Sequence, residues 1–154
     1  MNIIEYAPEL RRVFEEMLVE YFMRDLQSDI PEDIIRGKLL NFIISNAEKS
    51  IDHIAIAQEN GISIGFSIYQ IDTPESDWCK RLGWGFVREF YIQKAYRGIN
   101  CGKDLATYTE QQLRALGAEQ LYLTSDGGAI GFWEKCGWRN THEICSNGLE
   151  IMTK

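Results

Sequence analysis

The sequence has 154 residues, which fits one domain over residues 1–154 and suffices to bury a core without disulfides. Its net charge of −7 argues against a nucleic-acid partner, and no apolar run approaches the ~20 residues that span a bilayer. The first residues lack a signal-peptide pattern, so we expect a cytoplasmic protein that binds no membrane. The four cysteines and two histidines lack metal-ligand spacing, so no metal site is expected.

Hydrophobic spacing in the first half of the chain predicts a strand, two helices and a β-hairpin. The predicted elements are a strand at residues 2–6, helices at 10–22 and 31–49, and strands at 51–58 and 62–71. The dipeptide Asn60-Gly61 separates the last two strands. Both residues tolerate positive φ, so this dipeptide predicts a tight hairpin turn.

The second half alternates strands and helices. The predicted elements are a strand at residues 84–92, a helix at 103–116, a strand at 119–124, a helix at 128–136, and strands at 138–144 and 149–154. A strand–helix–strand unit predicts parallel pairing, whereas hairpins pair antiparallel. The fold class expected is therefore α/β with a mixed central sheet of about seven strands, flanked by about four helices.

The segment 96–103, with the sequence YRGINCGK, lies between an apolar strand and an amphipathic helix. Small residues there leave backbone N–H groups unobstructed at a helix N-terminus, which is an arrangement that binds anions. Arg97 and Lys103 add positive charge. An ordinary tight turn with two surface cations explains the same spacing.

Glu89 is a carboxylate in the mostly apolar strand at residues 84–92. Strict alternation predicts two faces, the first with Phe86, Arg88, Phe90 and Ile92 and the second with Val87, Glu89 and Tyr91. Burial would raise the pKa of this carboxyl toward the range useful for a general base. A salt bridge to a neighbouring cation is the structural alternative.

Two motifs together resemble those of the GNAT acetyltransferases. Residues 90–98, followed by Gly102, are similar to the family's strand-loop-helix motif, [Q/R]-x-x-G-x-[G/A], with Asn100 in place of the middle glycine. Residues 129–138 (AIGFWEKCGW) are similar to a later motif, A-x-x-F-[Y/W]-x-x-x-G-[F/W]. The predicted order of elements also matches the family's fold.

The resemblance implies a cofactor, acetyl-CoA, and a set of residues that would bind it. The loop amides would bind the pyrophosphate, and a backbone N–H of Tyr91 or Ile92 would donate to the thioester oxygen during the reaction. The cofactor-binding residues implied are Tyr91, Ile92, Arg97, Gly98, Ile99, Asn100, Cys101, Gly102, Lys103, Asp126, Phe132 and Trp133. Trp133 stands where many relatives have a tyrosine that acts as the general acid, and Asp126 stands where an asparagine is common.

The resemblance implies transfer of an acetyl group to a primary amine by direct attack in a ternary complex, with Glu89 as the base. The acceptor pocket would be built by the first two helices and the following strand pair, with Tyr21, Phe22, Asp25 and Trp84 as lining residues. An aminoglycoside, a polyamine, a peptide N-terminus, a lysine side chain and a small amino acid all stay open as acceptors. The alternative is a catalytically silent acyl-CoA-binding module that senses or regulates. Many relatives are homodimers, so a homodimer is a possible assembly.

Overall fold

The strands and helices follow the predicted order in a computed structural model that describes residues 1–154. The strands are β1 (Asn2–Glu5), β2 (His53–Glu59), β3 (Ile62–Ile71), β4 (Gly85–Ile92), β5 (Leu121–Ser125), β6 (Arg139–Ile144) and β7 (Glu150–Thr153). The helices are α1 (Arg11–Glu20), α2 (residues 32–48), α3 (Cys101–Ala115) and α4 (Ile130–Lys135). None of the helices has both the length and the apolar character needed to cross a membrane.

All seven strands form one mixed sheet in the order β1-β2-β3-β4-β5-β7-β6, which confirms the predicted α/β fold class. Only β4 and β5 are parallel, because the crossover helix α3 connects them, and the other pairs are antiparallel. The predicted hairpin turn between β2 and β3 is also confirmed. Asn60 and Gly61 both have positive φ, at 51° and 79°.

Two of the helices contain π-helical turns that the hydrophobic spacing did not predict. α1 continues without a break into the π-helical turn Tyr21–Asp25, where the Leu26 N–H donates to the Tyr21 carbonyl at 2.9 Å. α2 consists of Glu32–Ile34, the π-helical turn Ile35–Leu39 and Leu40–Glu48. The i, i+3, i+4 spacing of apolar residues does not reveal such turns. A single wider turn shifts the apolar positions after it by one residue, and the spacing within each helical segment stays the same.

Each face of the sheet is covered by a different set of residues. Helices α1 and α2 pack on one face through a cluster that includes Phe14, Leu18 and Leu40. Helices α3 and α4 pack on the other face through a cluster that includes Leu105 and Trp133. A smaller cluster on the α1 face of β4, β5 and β7 is covered by the loop at residues 72–84.

A β-bulge in β4 corrects the predicted alternation of that strand. Ile68 of β3 pairs with Glu89, whereas the next residue of β3, Tyr69, pairs with Val87, so Arg88 is an extra residue. Both Arg88 and Glu89 therefore lie on the α1 face. Phe90 and Ile92 join Val87 in the α3 cluster, and Tyr91 packs with α1. The sequence prediction that Phe86, Arg88, Phe90 and Ile92 share one face was wrong, because period-two spacing cannot show an inserted residue.

Candidate active site

A gap opens in the middle of the sheet between β4 and β5. The two strands pair only through Gly85–Leu121, Phe86–Tyr122 and Val87–Leu123, although β4 continues to Ile92. The bulge at Arg88 follows directly after the last of these pairs. The backbone of β4 beyond Val87 therefore has no strand partner on the β5 side.

Backbone direction separates the two amides predicted to contact a thioester. The Gln93 N–H donates to the Ile64 carbonyl of β3 at 2.8 Å, and alternate residues of a strand point to the same side. The Tyr91 amide therefore points toward β3, whereas the Ile92 amide points into the gap. The amide of Phe90 points into the gap by the same alternation, and the sequence prediction did not include it.

The turn before α3 presents a run of unpaired backbone amides. Gly98 and Asn100 have φ of 80° and 70°, in the left-handed region, so the asparagine preserves the turn in which the family motif has a glycine. No group of the protein accepts a hydrogen bond from the N–H groups of residues 98–103. These N–H groups lie at the N-terminus of the 15-residue helix α3, where the helix dipole favours a negative charge.

Gly102 joins the two sequence motifs in space. A Cβ atom at this position would lie 3.1 Å from the ring of Phe132 on α4 and 3.9 Å from Ile92 on β4. The absent side chain therefore lets the start of α3 approach both elements closely. Of its neighbours in the loop, Cys101 is buried and Ile99 is exposed.

Arg97 does not point freely toward solvent. Its Nε donates to the carbonyl of Ile92 at 2.7 Å, and its guanidinium forms an ion pair with Asp25 at the end of the π-helical turn. The guanidinium also lies 5.9 Å from the centre of the Tyr91 ring. Arg97 thus links the turn before α3 to the end of α1, whereas Lys103 is exposed on the first turn of α3.

The later motif forms the start of α4 and an aromatic contact with β4. The Asp126 carboxylate accepts hydrogen bonds from the amides of Gly128 at 2.8 Å and Ala129 at 3.1 Å, so it caps the turn before the helix. Phe132 and Trp133 pack against Phe90 at ring distances of 5.7 and 4.8 Å. Trp133 is 6% exposed, which leaves little of its ring for contact with a ligand.

Glu89 lies beside the gap, on the face covered by α1. Its Oε2 accepts a hydrogen bond from the hydroxyl of Tyr21. The residue as a whole is half-buried. Burial of its carboxyl is the largest influence on its pKa. Burial raises its pKa from the ordinary 4.5 to about 7, against the opposing effects of the Tyr21 hydrogen bond and the nearby Arg88.

Arg88 is held away from Glu89 by other carboxylates. Its guanidinium donates two hydrogen bonds to Asp77 in the loop at residues 72–84, one of them at 2.6 Å. It also lies 3.8 Å from the buried Asp52. Glu89 therefore does not form a salt bridge with the adjacent arginine, which was the structural alternative. It accepts a hydrogen bond from a neutral hydroxyl instead.

Three of the four residues predicted to line an acceptor pocket lie near Glu89 or the turn before α3. Tyr21 contacts Glu89, Phe22 packs against Tyr21, and Asp25 pairs with Arg97. Trp84 lies elsewhere, because it precedes the first residue of β4 and packs near Tyr122, with the Arg81 guanidinium 4.8 Å from its ring. The structure therefore does not bring Trp84 together with the other three residues.

A sequence model of the acetyltransferase (GNAT) family matches residues 10–138, so the chain belongs to that family. No curated protein matches the chain in a sequence search.

Solved structures share the fold at low sequence identity. The PaiA N-acetyltransferase from Thermoplasma acidophilum in complex with coenzyme A is 19% identical, with a TM-score of 0.73 over 100% of this chain and 99% of that chain. The ribosomal-protein-alanine N-acetyltransferase from Brucella melitensis is 12% identical, with a TM-score of 0.78 over 100% and 99%. An aminoglycoside 6'-N-acetyltransferase complexed with coenzyme A is 14% identical, with a TM-score of 0.74 over 100% and 96%.

Proposed function

We propose that the protein is an acetyl-CoA-dependent N-acetyltransferase that acts on a primary amine. The observation that carries the proposal is the juxtaposition of three features. A carboxylate with a raised pKa lies beside a gap between two parallel strands, and the same gap leads to a helix N-terminus with unpaired amides. The GNAT relatives crystallised with coenzyme A support the choice of cofactor.

The chain fits the cofactor through the amides of residues 98–103. A pyrophosphate is an anion that needs several donors, and here consecutive N–H groups lack any acceptor in the protein. Lys103 adds an exposed positive charge on the same turn. Acetyl-CoA, when bound, would supply the acetyl group as a thioester.

The roles of the protein groups follow from their positions. Glu89 would accept a proton from the ammonium form of the acceptor, because only the neutral amine has a free electron pair for attack. The Ile92 amide would donate a hydrogen bond to the acetyl carbonyl oxygen as negative charge develops there. Direct attack needs no nucleophilic side chain, and both groups act from the same strand, β4.

The silent acyl-CoA-binding module is the second candidate, and one observation favours it. Trp133 replaces the usual tyrosine of the later motif and is buried, and an indole N–H is a donor that does not release its proton at neutral pH. Such a module would bind acetyl-CoA and transfer nothing. Measurements of binding and of turnover therefore separate the two candidates.

Calorimetry with acetyl-CoA tests the cofactor site. We expect micromolar binding by the wild type and none by Gly102→Trp, which fills the space beside Phe132. Gly37→Trp is the matched control, because a side chain there would meet nothing within 4 Å and the residue lies on α2. Lys103→Glu should also weaken binding. Because Lys103 is exposed, this second variant should stay folded, so it tests the site even if Gly102→Trp does not fold. Absence of binding by the folded wild type would refute the proposal.

Turnover is tested by thiol release from acetyl-CoA in the presence of each acceptor class. The panel contains an aminoglycoside, a polyamine, a peptide with a free N-terminus, a lysine peptide and small amino acids. Thiol release that requires one acceptor supports the enzyme hypothesis. Its rate should fall at least about 100-fold in Glu89→Gln, since general bases contribute roughly 10²–10⁴-fold to the rate. Binding without release for any acceptor supports the silent module.

A further inference from the structure

Two irregularities in otherwise regular elements meet at one hydrogen bond. The bulge in β4 turns Glu89 toward the α1 face, and the π-helical turn that ends α1 begins at Tyr21. The hydroxyl of Tyr21 donates to Oε2 of Glu89, across a sequence separation of 68 residues. Bulges and π-helical turns both interrupt regular backbone pairing and occur often at functional sites.

The Tyr21 ring is held in place on several sides. It packs edge-on against Phe22 and Phe66, at ring distances of 5.0 and 5.5 Å, and lies 5.8 Å from the ring of Tyr91. The residue is 8% exposed. Close packing on these sides restricts the rotation of the ring and places its hydroxyl beside β4.

We propose that Tyr21 is a positioning residue for Glu89, which holds one carboxylate oxygen and leaves the other free to take the proton of the acceptor. This inference rests on the proposed function. In the ground state the hydroxyl donates to Oε2, so a single orientation of the carboxylate faces the gap. The acceptor ammonium then loses one proton to Glu89, the N–H bond breaks, and its electron pair stays on nitrogen for attack on the acetyl carbon.

Tyr21 keeps its own proton throughout this step. Burial, followed by the neighbouring charge of Glu89, raises the pKa of the Tyr21 hydroxyl well above its ordinary value. The hydroxyl therefore acts as a fixed donor and not as a second base. Donation to the ionised carboxylate lowers the pKa of Glu89, which keeps part of the base ionised at neutral pH despite its burial.

The other charged groups around the pair are fixed in ion pairs or hydrogen bonds. Arg88 lowers the pKa of Glu89, and Asp52, the residue before β2, raises it. Asp77 neutralises Arg88 from the loop side, and Asp25 on the π-helical turn also raises the pKa of Tyr21. None of these charged groups donates a hydrogen bond to Glu89, whereas the Tyr21 hydroxyl does.

The first test measures the protonation of Glu89 without any catalytic assay. The carboxyl of Glu89 is followed by carbon-13 NMR in protein labelled with glutamate, with Glu89→Gln used to assign its signal. We expect the titration midpoint to rise by about one pH unit in Tyr21→Phe, since hydrogen bonds to charged groups are among the stronger ones. An unchanged midpoint in the folded variant would overturn the positioning role and leave the proposed function standing.

The second test is the pH profile of kcat/KM with the acceptor found in the turnover panel. A rise of about one pH unit in the midpoint of the acid limb would lower kcat/KM of Tyr21→Phe about fivefold near pH 7, with almost no loss near pH 9. Tyr69→Phe is the matched control, because Tyr69 is also buried but packs in the α3 cluster, and its profile should match the wild type. A loss of equal size at every pH would mean a structural role for Tyr21 and overturn the inference. An acid limb that does not follow the NMR midpoint would instead remove Glu89 as the base.

Discussion

Replacing Glu89 by Gln should increase the free energy of unfolding relative to the wild type at high pH but not at low pH. The pKa of Glu89 is raised from 4.5 to about 7 by burial, so the folded state binds this proton more tightly than the unfolded state. The stability that this group contributes is full below the unfolded pKa and is lost as the pH rises through the folded pKa. Glutamine carries no charge at any pH and avoids this loss, so Glu89→Gln should gain stability relative to the wild type as the pH rises from about 4 to 8.5.

The size of the gain follows from the two pKa values. Their difference, at about 1.36 kcal/mol per pH unit, corresponds to about 3 kcal/mol for a completely enclosed group. The partial solvent contact of Glu89 screens its charge, so we expect a gain of between about 1 and 3 kcal/mol. The Tyr21 hydroxyl can still donate to the glutamine carbonyl oxygen, which limits other consequences of the substitution.

Urea unfolding of both proteins near pH 4 and near pH 8.5 measures this gain. All the other titrating groups are common to the two proteins, so their contributions cancel in the difference. Glu134→Gln, an exposed position on α4, serves as the control and should differ from the wild type by less than about 0.5 kcal/mol at both pH values. A difference between Glu89→Gln and the wild type that is the same at both pH values would refute the buried-carboxylate argument.

Two further predictions concern the turn before α3. Asn100→Ala should lose about 1–2 kcal/mol of unfolding free energy in a urea titration, because alanine is strained at a φ of 70°, whereas Asn100→Gly should stay within about 0.5 kcal/mol of the wild type. Equal stability of the two variants would contradict the left-handed assignment. Asp25→Asn should tighten acetyl-CoA binding about 2- to 10-fold in calorimetry, because Arg97 loses its carboxylate partner and its charge becomes available to a phosphate. Weaker binding would show that the ion pair supports the turn instead of competing with the ligand.

The order of the elements was predictable because each signal is local. The dipeptide Asn-Gly is enough to predict a hairpin turn at its position, and the helical spacing of apolar residues can be recognised within a short segment of sequence. The conformation of the turn before α3 was predictable for the same reason, since asparagine adopts the left-handed conformation more readily than most residues. Glu89 stood out because a carboxylate in an apolar strand is costly unless it has a partner or a function.

The partners of these residues could not be predicted, because they depend on contacts between distant segments. The bulge at Arg88 adds one residue to β4 and leaves no trace in the hydrophobic pattern, and it reassigns the face of every later residue in the strand. Arg97 was predicted to add charge for a phosphate, yet it pairs with Asp25, which lies 72 residues earlier. The position of Trp84 depends on distant contacts in the same way, since it packs against a cluster that includes Tyr122 of β5.

Three departures from regular structure meet along one stretch of β4. Pairing with β5 ends at Val87, the bulge follows at Arg88, and the π-helical turn of α1 places Tyr21 against Glu89. A chain selected for stability alone would continue the β4–β5 ladder, because every unmade pair leaves backbone amides without partners. Sequences usually break such local rules where function requires it. The open ladder leaves the Ile92 amide without a strand partner, and the bulge turns a carboxylate toward the α1 face beside the same gap, so one irregular strand supplies both groups that the proposed reaction needs.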